Sequence, residues 1–275
     1  MNDTQLMHKV VVLARVAGEA ILPFWRTEVA VSAKADDSPV TAADLAAHHV
    51  ILDGLKALAP DIPVLSEEDC GIALEERARW QRWWLVDPLD GTKEFIAGSE
   101  EFTVNIALIE RGEVVFGVVA MPTSGRCYFG GQAFGAWRAE AGEQAQPIAV
   151  RSMPDVGERF TVVASRRHSS PQQQILLDGL SEAVGKLTLA NIGSSLKFCL
   201  LAEGSADCYP RLAPTSQWDT AAAQGVVEGA GGVVLGLEGL PLTYPARESL
   251  LNPFFLALPA AAGWREALVR LASTV

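Results

Sequence analysis

The sequence predicts a layered α/β protein built in two parts. Three observations carry that expectation: two helical periodicities before residue 60, hairpin-spaced strands after residue 100, and strands alternating with helices beyond residue 150. At 275 residues the chain exceeds the usual single-domain length, and a 49% hydrophobic content is ample for a large core. The stretch 140–153, rich in Gly, Gln and Pro, is the candidate boundary and divides the chain into 1–150 and 151–275.

Residues 5–25 place Leu6, Val10, Leu13, Ala17, Ala20, Ile21 and Phe24 at helical spacing. Residues 29–38 are polar and mixed and read as a loop. Thr41 caps a second helix that runs to about residue 58, with Ala42, Leu45, His49, Leu52 and Leu55 on neighbouring turns, and Pro60 ends it. A short strand at 62–65 runs into Glu67-Glu68-Asp69. The apolar run ending in Val86 reads as a buried strand that Pro88 stops, because proline cannot donate to a ladder. That leaves Asp87 at the strand end and Asp90 one tight turn later. Residues 102–109, the Arg111-Gly112 pair and 114–120 form a hairpin signal, continued by strands at 126–129 and 135–138. In the second part, strands at 160–164, 187–192, 206–210 and 233–235 alternate with helices at 175–184, 195–203 and 219–230, the middle helix closed by Gly204. Trp80, Trp83 and Trp84 read as core packing beside a strand.

A formal net charge of −11 argues against a nucleic-acid partner, which demands a basic face. Bound divalent metal can invert the local field, so a phosphorylated substrate stays compatible with the acidic balance. Cys70, Cys127, Cys199 and Cys208 form no CxxC pair, and the four histidines, including the adjacent His48 and His49, lie at no metal-ligand spacing. Zinc is therefore not expected, and reduced thiols in a cytoplasmic setting are. No basic region precedes an apolar core at the N-terminus, so no secretory signal is expected. The apolar stretch 10–25 is broken by Arg15 and Glu19 and is too short to span a bilayer. Peripheral attachment to the cytoplasmic face of the inner membrane stays open.

The chemistry concentrates in Asp87-Pro88-Leu89-Asp90-Gly91-Thr92-Lys93. Two hard oxygen ligands stand three residues apart, and Gly91 lets the following backbone N–H groups approach an anion. That combination suits Mg2+-assisted phosphoryl chemistry. A plain strand–turn–helix corner with Asp90 as a cap is the alternative. Three further acidic positions join it: Glu67 at a strand terminus, Asp219 in Trp218-Asp219-Thr220-Ala221-Ala222, and Asp44 in Thr41-Ala42-Ala43-Asp44. Taken singly, each reads equally as a solvated loop, an N-cap or a first-turn acid suited to the helix dipole.

Together these motifs resemble the inositol monophosphatase superfamily of Mg2+-dependent, lithium-sensitive phosphatases, over essentially the whole chain. The segments Ser38-Pro39-Val40-Thr41-Ala42-Ala43-Asp44, Leu65-Ser66-Glu67-Glu68-Asp69 and Asp90-Gly91-Thr92-Lys93-Glu94-Phe95-Ile96 are closer still to its 3'(2'),5'-bisphosphate nucleotidase branch. So are Gly193-Ser194-Ser195-Leu196-Lys197-Phe198-Cys199 and Tyr209-Pro210-Arg211. The resemblance implies an αβαβα sandwich with its site between the two parts. It implies one Mg2+ on Glu67, Asp87 and the Leu89 carbonyl, and a second on Asp87, Asp90 and Asp219. A looser third ion would use Glu67 and water. Thr92 and Asp44 would orient the attacking water, and the N–H groups of Gly91 and Thr92 would cradle the phosphate, with Glu67, Asp90 and Asp219 close to it. Lys93, His168, Ser194, Lys197 and Arg211 would contact substrate. Ser194 also reads as a helix cap, Lys197 as a solvent-facing lysine, and His168 and the adjacent Arg166-Arg167 as exposed loop residues.

The implied reaction is hydrolysis of adenosine 3',5'-bisphosphate, a by-product of sulfate assimilation, to AMP and phosphate. 3'-Phosphoadenylyl sulfate is a second candidate substrate. Inositol monophosphate or sugar-phosphate hydrolysis competes within the superfamily, and a non-catalytic nucleotide-binding regulator competes outside enzymology. Oligomeric state is not specified by the sequence.

Overall fold

A computed structural model describes residues 1–27, 32–33, 39–154, 158–164 and 171–274. Helix α1 (Asp3–Ile21) opens on a reciprocal capping box between Asn2 and Gln5 and runs into a single 3-10 turn, Leu22–Phe24. A two-residue pairing of β1 (Ser32–Ala33) with β2 (Pro39–Val40) leads to α2 (Ala42–Leu58), capped by Thr41 as expected. Strand β3 (Val64–Ser66) then pairs in parallel with β4 (Arg82–Asp90), with one short helix, α3 (Leu74–Arg77), between them. After α4 (Thr92–Ile96) come β5 (Thr103–Glu110), β6 (Glu113–Ala120), β7 (Cys127–Gly131), β8 (Gly135–Ala139) and β9 (Gln146–Ile148), each antiparallel to its predecessor from β5 onward. The seven-stranded sheet has the order β3-β4-β5-β6-β7-β8-β9. Arg111 and Gly112 turn the β5–β6 hairpin with φ of 52° and 85°, the double positive φ that a two-residue hairpin needs.

This sheet is buried on both faces. Trp84, Val86, Ile106 and Leu108 join Val10, Ala14, Ala47 and Ile51 in a core beneath α1 and α2. The alternate residues Trp83, Leu85, Ala107 and Ile109 join a second core beneath α6 (Leu196–Ala202) and α7 (Ala221–Gly229). The backbones of α7 and β6 touch: a Cβ on Gly117 would lie 1.8 Å from the Ala222 carbonyl oxygen. Glu203, at the end of α6, accepts from Tyr128 Oη at 2.9 Å and Arg138 Nη1 at 2.8 Å, tying that layer to β7 and β8.

The second sheet region lies on the other side of α6 and α7. Strand β10 (Phe160–Ala164) pairs in parallel with β11 (Leu187–Asn191) across α5 (Pro171–Val184). Strands β12 (Tyr209–Arg211), β13 (Gly232–Gly236) and β14 (Phe255–Pro259) form an antiparallel sheet ordered β12-β14-β13. Among the described residues, one isolated bridge, Val162 to Cys208, connects the two. Their outer face packs on α5 and α8 (Arg265–Ala272) through Val162, Leu176, Leu180, Leu256 and Leu268. The layers therefore run αβαβα, as the resemblance implies.

Several boundaries differ from the sequence reading. Strand β4 does not stop at Pro88 but continues to Asp90, because the proline falls in an irregularity where no ladder donor is required. The 140–153 stretch contains β9, the last strand of the first sheet. Strand β14 and helix α8 have no counterpart in the sequence pattern described above. Trp83 and Trp84 are buried on opposite faces of the sheet. All four cysteines are free thiols, and burial pushes Cys127 up to about 12. Among the described residues, no helix is long and apolar enough to cross a membrane.

Candidate active site

The register of β4 against β5 shifts just where the chemistry begins. Asp87 pairs with Asn105 and Asp90 with Thr103, so Pro88 and Leu89 together oppose Val104 alone. Asp87 is buried, and its Oδ1 accepts the Leu89 N–H at 3.0 Å. Gly91 follows with φ of 94°, and a Cβ there would lie 3.0 Å from the Glu101 carbonyl oxygen. The chain turns directly into α4.

Glu67 reaches this corner because the β3 pairing persists one residue past the strand, Glu67 N–H donating to the Val86 carbonyl at 3.0 Å. Asp44 arrives from α2, where it is the third residue of a capping box. Its Oδ2 accepts the Thr41 N–H at 2.8 Å and the Thr41 hydroxyl at 2.6 Å. The opposite oxygen, Oδ1, lies 3.3 Å from Thr92 Oγ1, and the Leu89 carbonyl lies 3.2 Å from the same hydroxyl. The expected Asp44–Thr92 pair is thus assembled across 48 positions of chain.

Asp219 uses the same local device as Asp44. It ends a 3-10 turn, Gln217–Asp219, capped by Ser216, and its Oδ2 accepts the Ser216 N–H at 2.8 Å. It is therefore not the N-cap of α7, which begins two residues later; the turn closes back on itself before the helix starts.

Burial and neighbouring negative charge raise two of these carboxyls, Asp87 and Asp219. Burial, reinforced by the charges of Glu67, Asp90 and Asp219 and by a hydrogen bond with Glu67, holds Asp87 well above the usual carboxylate range. Burial and then Asp90 push Asp219 up to about 8, against the opposing pull of the Ser216 N–H. Among the described residues no three acidic, histidine or cysteine side chains converge as a ready-made coordination shell. The donor set nevertheless fits Mg2+: it is all oxygen, it is short of positive charge, and Mg2+ retains waters rather than requiring a closed protein cage. Asp87 and Asp219 each engage the backbone through one oxygen, and Asp90 engages its protein partners through Oδ2.

A cavity of about 330 Å³ opens beside Asp90 and Asp219. Its wall includes the predicted positions Gly91, Lys93, Ser194, Lys197 and Arg211, together with Glu94, Glu101, Ile192, Phe198 and Tyr209. Asp44, Glu67, Asp87, Leu89 and Thr92 lie outside that wall. His168 and the neighbouring Arg166-Arg167 fall outside the described residues.

Lys197 is 8% exposed, which overturns the solvent-facing alternative. Helix α6 lies between two sheets, so a position on its cleft side is enclosed. The ammonium donates to the Ser194 carbonyl at 2.9 Å, and burial lowers its pKa while Asp90 opposes that shift. Ser194 adopts φ of 49°, and its Oγ lies 3.4 Å from the Leu196 N–H, a marginal cap. The Gly193 N–H donates to Glu101 Oε2 at 2.7 Å, fastening this loop across the cleft.

Two polar contacts were missed by sequence reasoning. Ser195 donates to Asp90 Oδ2 through its N–H at 2.6 Å and reaches the same oxygen through its hydroxyl at 2.7 Å. Asn105 Nδ2 lies 3.3 Å from that oxygen. A signal existed for Asn105, the one amide in the otherwise apolar run 104–109.

The model of the inositol monophosphatase family matches residues 3–273. A Salmonella typhimurium protein named 3'(2'),5'-bisphosphate nucleotidase CysQ is 49% identical over 252 residues, covering 91% of this chain and 98% of that relative. Its Escherichia coli K12 namesake is 48% identical over the same length and shares. The crystal structure of CysQ from Bacteroides thetaiotaomicron superposes with a TM-score of 0.79 at 36% identity, covering 93% of this chain and 97% of that one. The five layers, the acidic corner and these relatives agree, and the chain belongs to the inositol monophosphatase family.

Proposed function

We propose that this protein is a Mg2+-dependent phosphatase that hydrolyses the 3'-phosphate of adenosine 3',5'-bisphosphate to AMP and phosphate. One observation carries the reading: a single cavity holds the Asp90 and Asp219 carboxylates together with the Lys197 and Arg211 cations. A substrate with one phosphate at the acidic corner and another on the cations satisfies both ends. The names of the CysQ relatives point to the same substrate. By the same chemistry 3'-phosphoadenylyl sulfate is a second substrate, and the setting is cytoplasmic. The site would lie where 1–150 meets 151–275.

Two to three Mg2+ ions would be held by Glu67, Asp87, the Leu89 carbonyl, Asp90 and Asp219, supplying Lewis acidity for the attacking water and the leaving ribose oxygen. Thr92 Oγ accepts a proton from that water and passes its own to Asp44 Oδ1, whose other oxygen is held by Thr41. The water oxygen bonds to phosphorus as the P–O3' bond breaks, and the electron pair leaves with the ribose oxygen. Gly91 and Thr92 N–H groups donate to the phosphate, with Lys93 beside them. Ser194, Lys197 and Arg211 hold the second phosphate, and His168 is assigned to the adenine.

Phosphate release measured with Mg2+ on adenosine 3',5'-bisphosphate beside inositol 1-phosphate tests this directly. The bisphosphate is expected to be the faster substrate by kcat/KM, with inhibition by millimolar lithium; faster inositol 1-phosphate turnover overturns the assignment. Lys197→Met keeps the length of the side chain and removes its charge. Loss of a charge-assisted bond worth about 1.5–3 kcal/mol raises KM for the bisphosphate roughly 10–100-fold. Residual turnover of inositol 1-phosphate is expected to keep its KM, and an equal rise for both substrates would place Lys197 elsewhere in the mechanism.

A further inference from the structure

Donors converge on one oxygen of Asp90. The Ser195 N–H and hydroxyl stand at 2.6 and 2.7 Å from Oδ2, Asn105 Nδ2 at 3.3 Å and Thr103 Oγ1 at 3.5 Å. Asn105 and Thr103 reach it because they face Asp87 and Asp90 across the β4–β5 ladder. Asn105 Nδ2 also donates to Ser195 Oγ at 2.8 Å. That bond fills a lone pair of the hydroxyl and leaves its single proton two acceptors, Asp90 Oδ2 and the Asp219 carbonyl at 2.9 Å. Ser195 thereby joins an acid on β4 to the backbone of an acid from the opposite side of the cleft.

Packing alone does not account for Asn105. The side chain is 1% exposed, and its Oδ1 has no hydrogen-bond partner among the described residues. An orphaned buried acceptor destabilises a fold, and an apolar residue of the same shape avoids that cost. What the amide contributes lies on its Nδ2 side, where it meets both Ser195 and Asp90.

We propose that Ser195 and Asn105 are positioning residues that lock Asp90 through Oδ2 and so present its Oδ1 to the divalent cation. This inference rests on the metal-dependent phosphatase reading. Groups that orient ligating carboxylates typically account for 10–100-fold in metal affinity. Held on one oxygen, Asp90 cannot rotate its carboxylate plane. The link through Ser195 to the Asp219 carbonyl makes the two acids move together.

Mn2+ titration of the full chain by calorimetry, in the absence of substrate, tests this on wild type, Ser195→Ala, Ser195→Thr and Asn105→Leu. Ser195→Ala and Asn105→Leu are expected to bind Mn2+ roughly 10–100-fold more weakly. Ser195→Thr, which returns the hydroxyl, is expected to recover most of the loss. The metal-free melting temperature of Asn105→Leu is expected to equal or exceed that of wild type, an outcome a merely structural asparagine would not give. Wild-type Mn2+ affinity in folded Ser195→Ala and Asn105→Leu overturns the positioning role while leaving the phosphatase reading intact. Failure of the wild-type protein itself to bind Mn2+ overturns both.

Discussion

Asp219→Asn is expected to lower kcat/KM at least about 10³-fold, because a lost metal-held carboxylate removes several kcal/mol of transition-state stabilisation. The same change is expected to make the metal-free protein more stable at neutral pH. The amide oxygen can still accept the Ser216 N–H that Asp219 Oδ2 accepts at 2.8 Å, so the turn survives. What disappears is a buried carboxyl that must hold a proton beside Asp90 to escape the cost of a buried charge. The native carboxyl titrates at about 8 against an ordinary 3.8, so between those values the native state binds more protons than the unfolded one. The Asp219 contribution to the stability of the metal-free wild type therefore falls as pH rises through that window and levels off above it. The asparagine variant lacks this contribution, whereas buried Asp87 keeps its own. Melting curves in chelator at pH 4 and pH 8 check it: the two proteins should lie close at pH 4 and diverge at pH 8, with the variant higher. Near-wild-type turnover at saturating Mg2+ would remove Asp219 from the metal assignment.

Thr92→Val is expected to lower kcat by about 10²–10⁴-fold, the usual worth of positioned proton transfer, with little change in KM. Valine preserves the branched shape and deletes only the hydroxyl that stands 3.3 Å from Asp44 Oδ1. Thr92→Ser retains that hydroxyl and should retain most of the rate. The Leu89 carbonyl, 3.2 Å from the same hydroxyl, offers the proton a competing resting place. Steady-state kinetics with unchanged Mn2+ binding separate a proton-transfer defect from a lost metal. Undiminished kcat in Thr92→Val would assign water activation to another group.

What the sequence discloses of this site is what local chemistry controls. The Thr41-to-Asp44 capping box lies within one helical turn, and its spacing is visible before any fold is known. The β5–β6 hairpin is equally local, signalled by Arg111-Gly112. Ser195 and Asn105 escaped because their meeting with Asp90 is decided by layer stacking across 105 and 15 positions of chain. The solvent-facing alternative for Lys197, a position also assigned to substrate, fails for a related reason. Helical periodicity describes one buried face, but α6 is buried along nearly its whole length between two sheets. The path of β4 through Pro88 depended on its partner: whether proline ends a strand is settled by whether β5 has a bond waiting there. Helix α8 is only eight residues long, too brief for periodicity to stand out, and β14 follows a long irregular stretch.

The two-against-one mismatch between β4 and β5 also changes a parity. Along a regular strand, positions three apart point to opposite sides, so Asp87 and Asp90 should not share a face. Leu89 records the switch: Trp83 and Leu85, odd-numbered like it, are buried under α6 and α7, whereas Leu89 is buried with the even-numbered Trp84 and Val86. The extra residue turns an alternating strand out of phase, and both carboxylates emerge on the side from which Asp219 and Ser195 approach. A corner that reads as a motif of particular side chains is thus also a count. The same sequence on an unbulged strand would keep every functional group and lose their convergence.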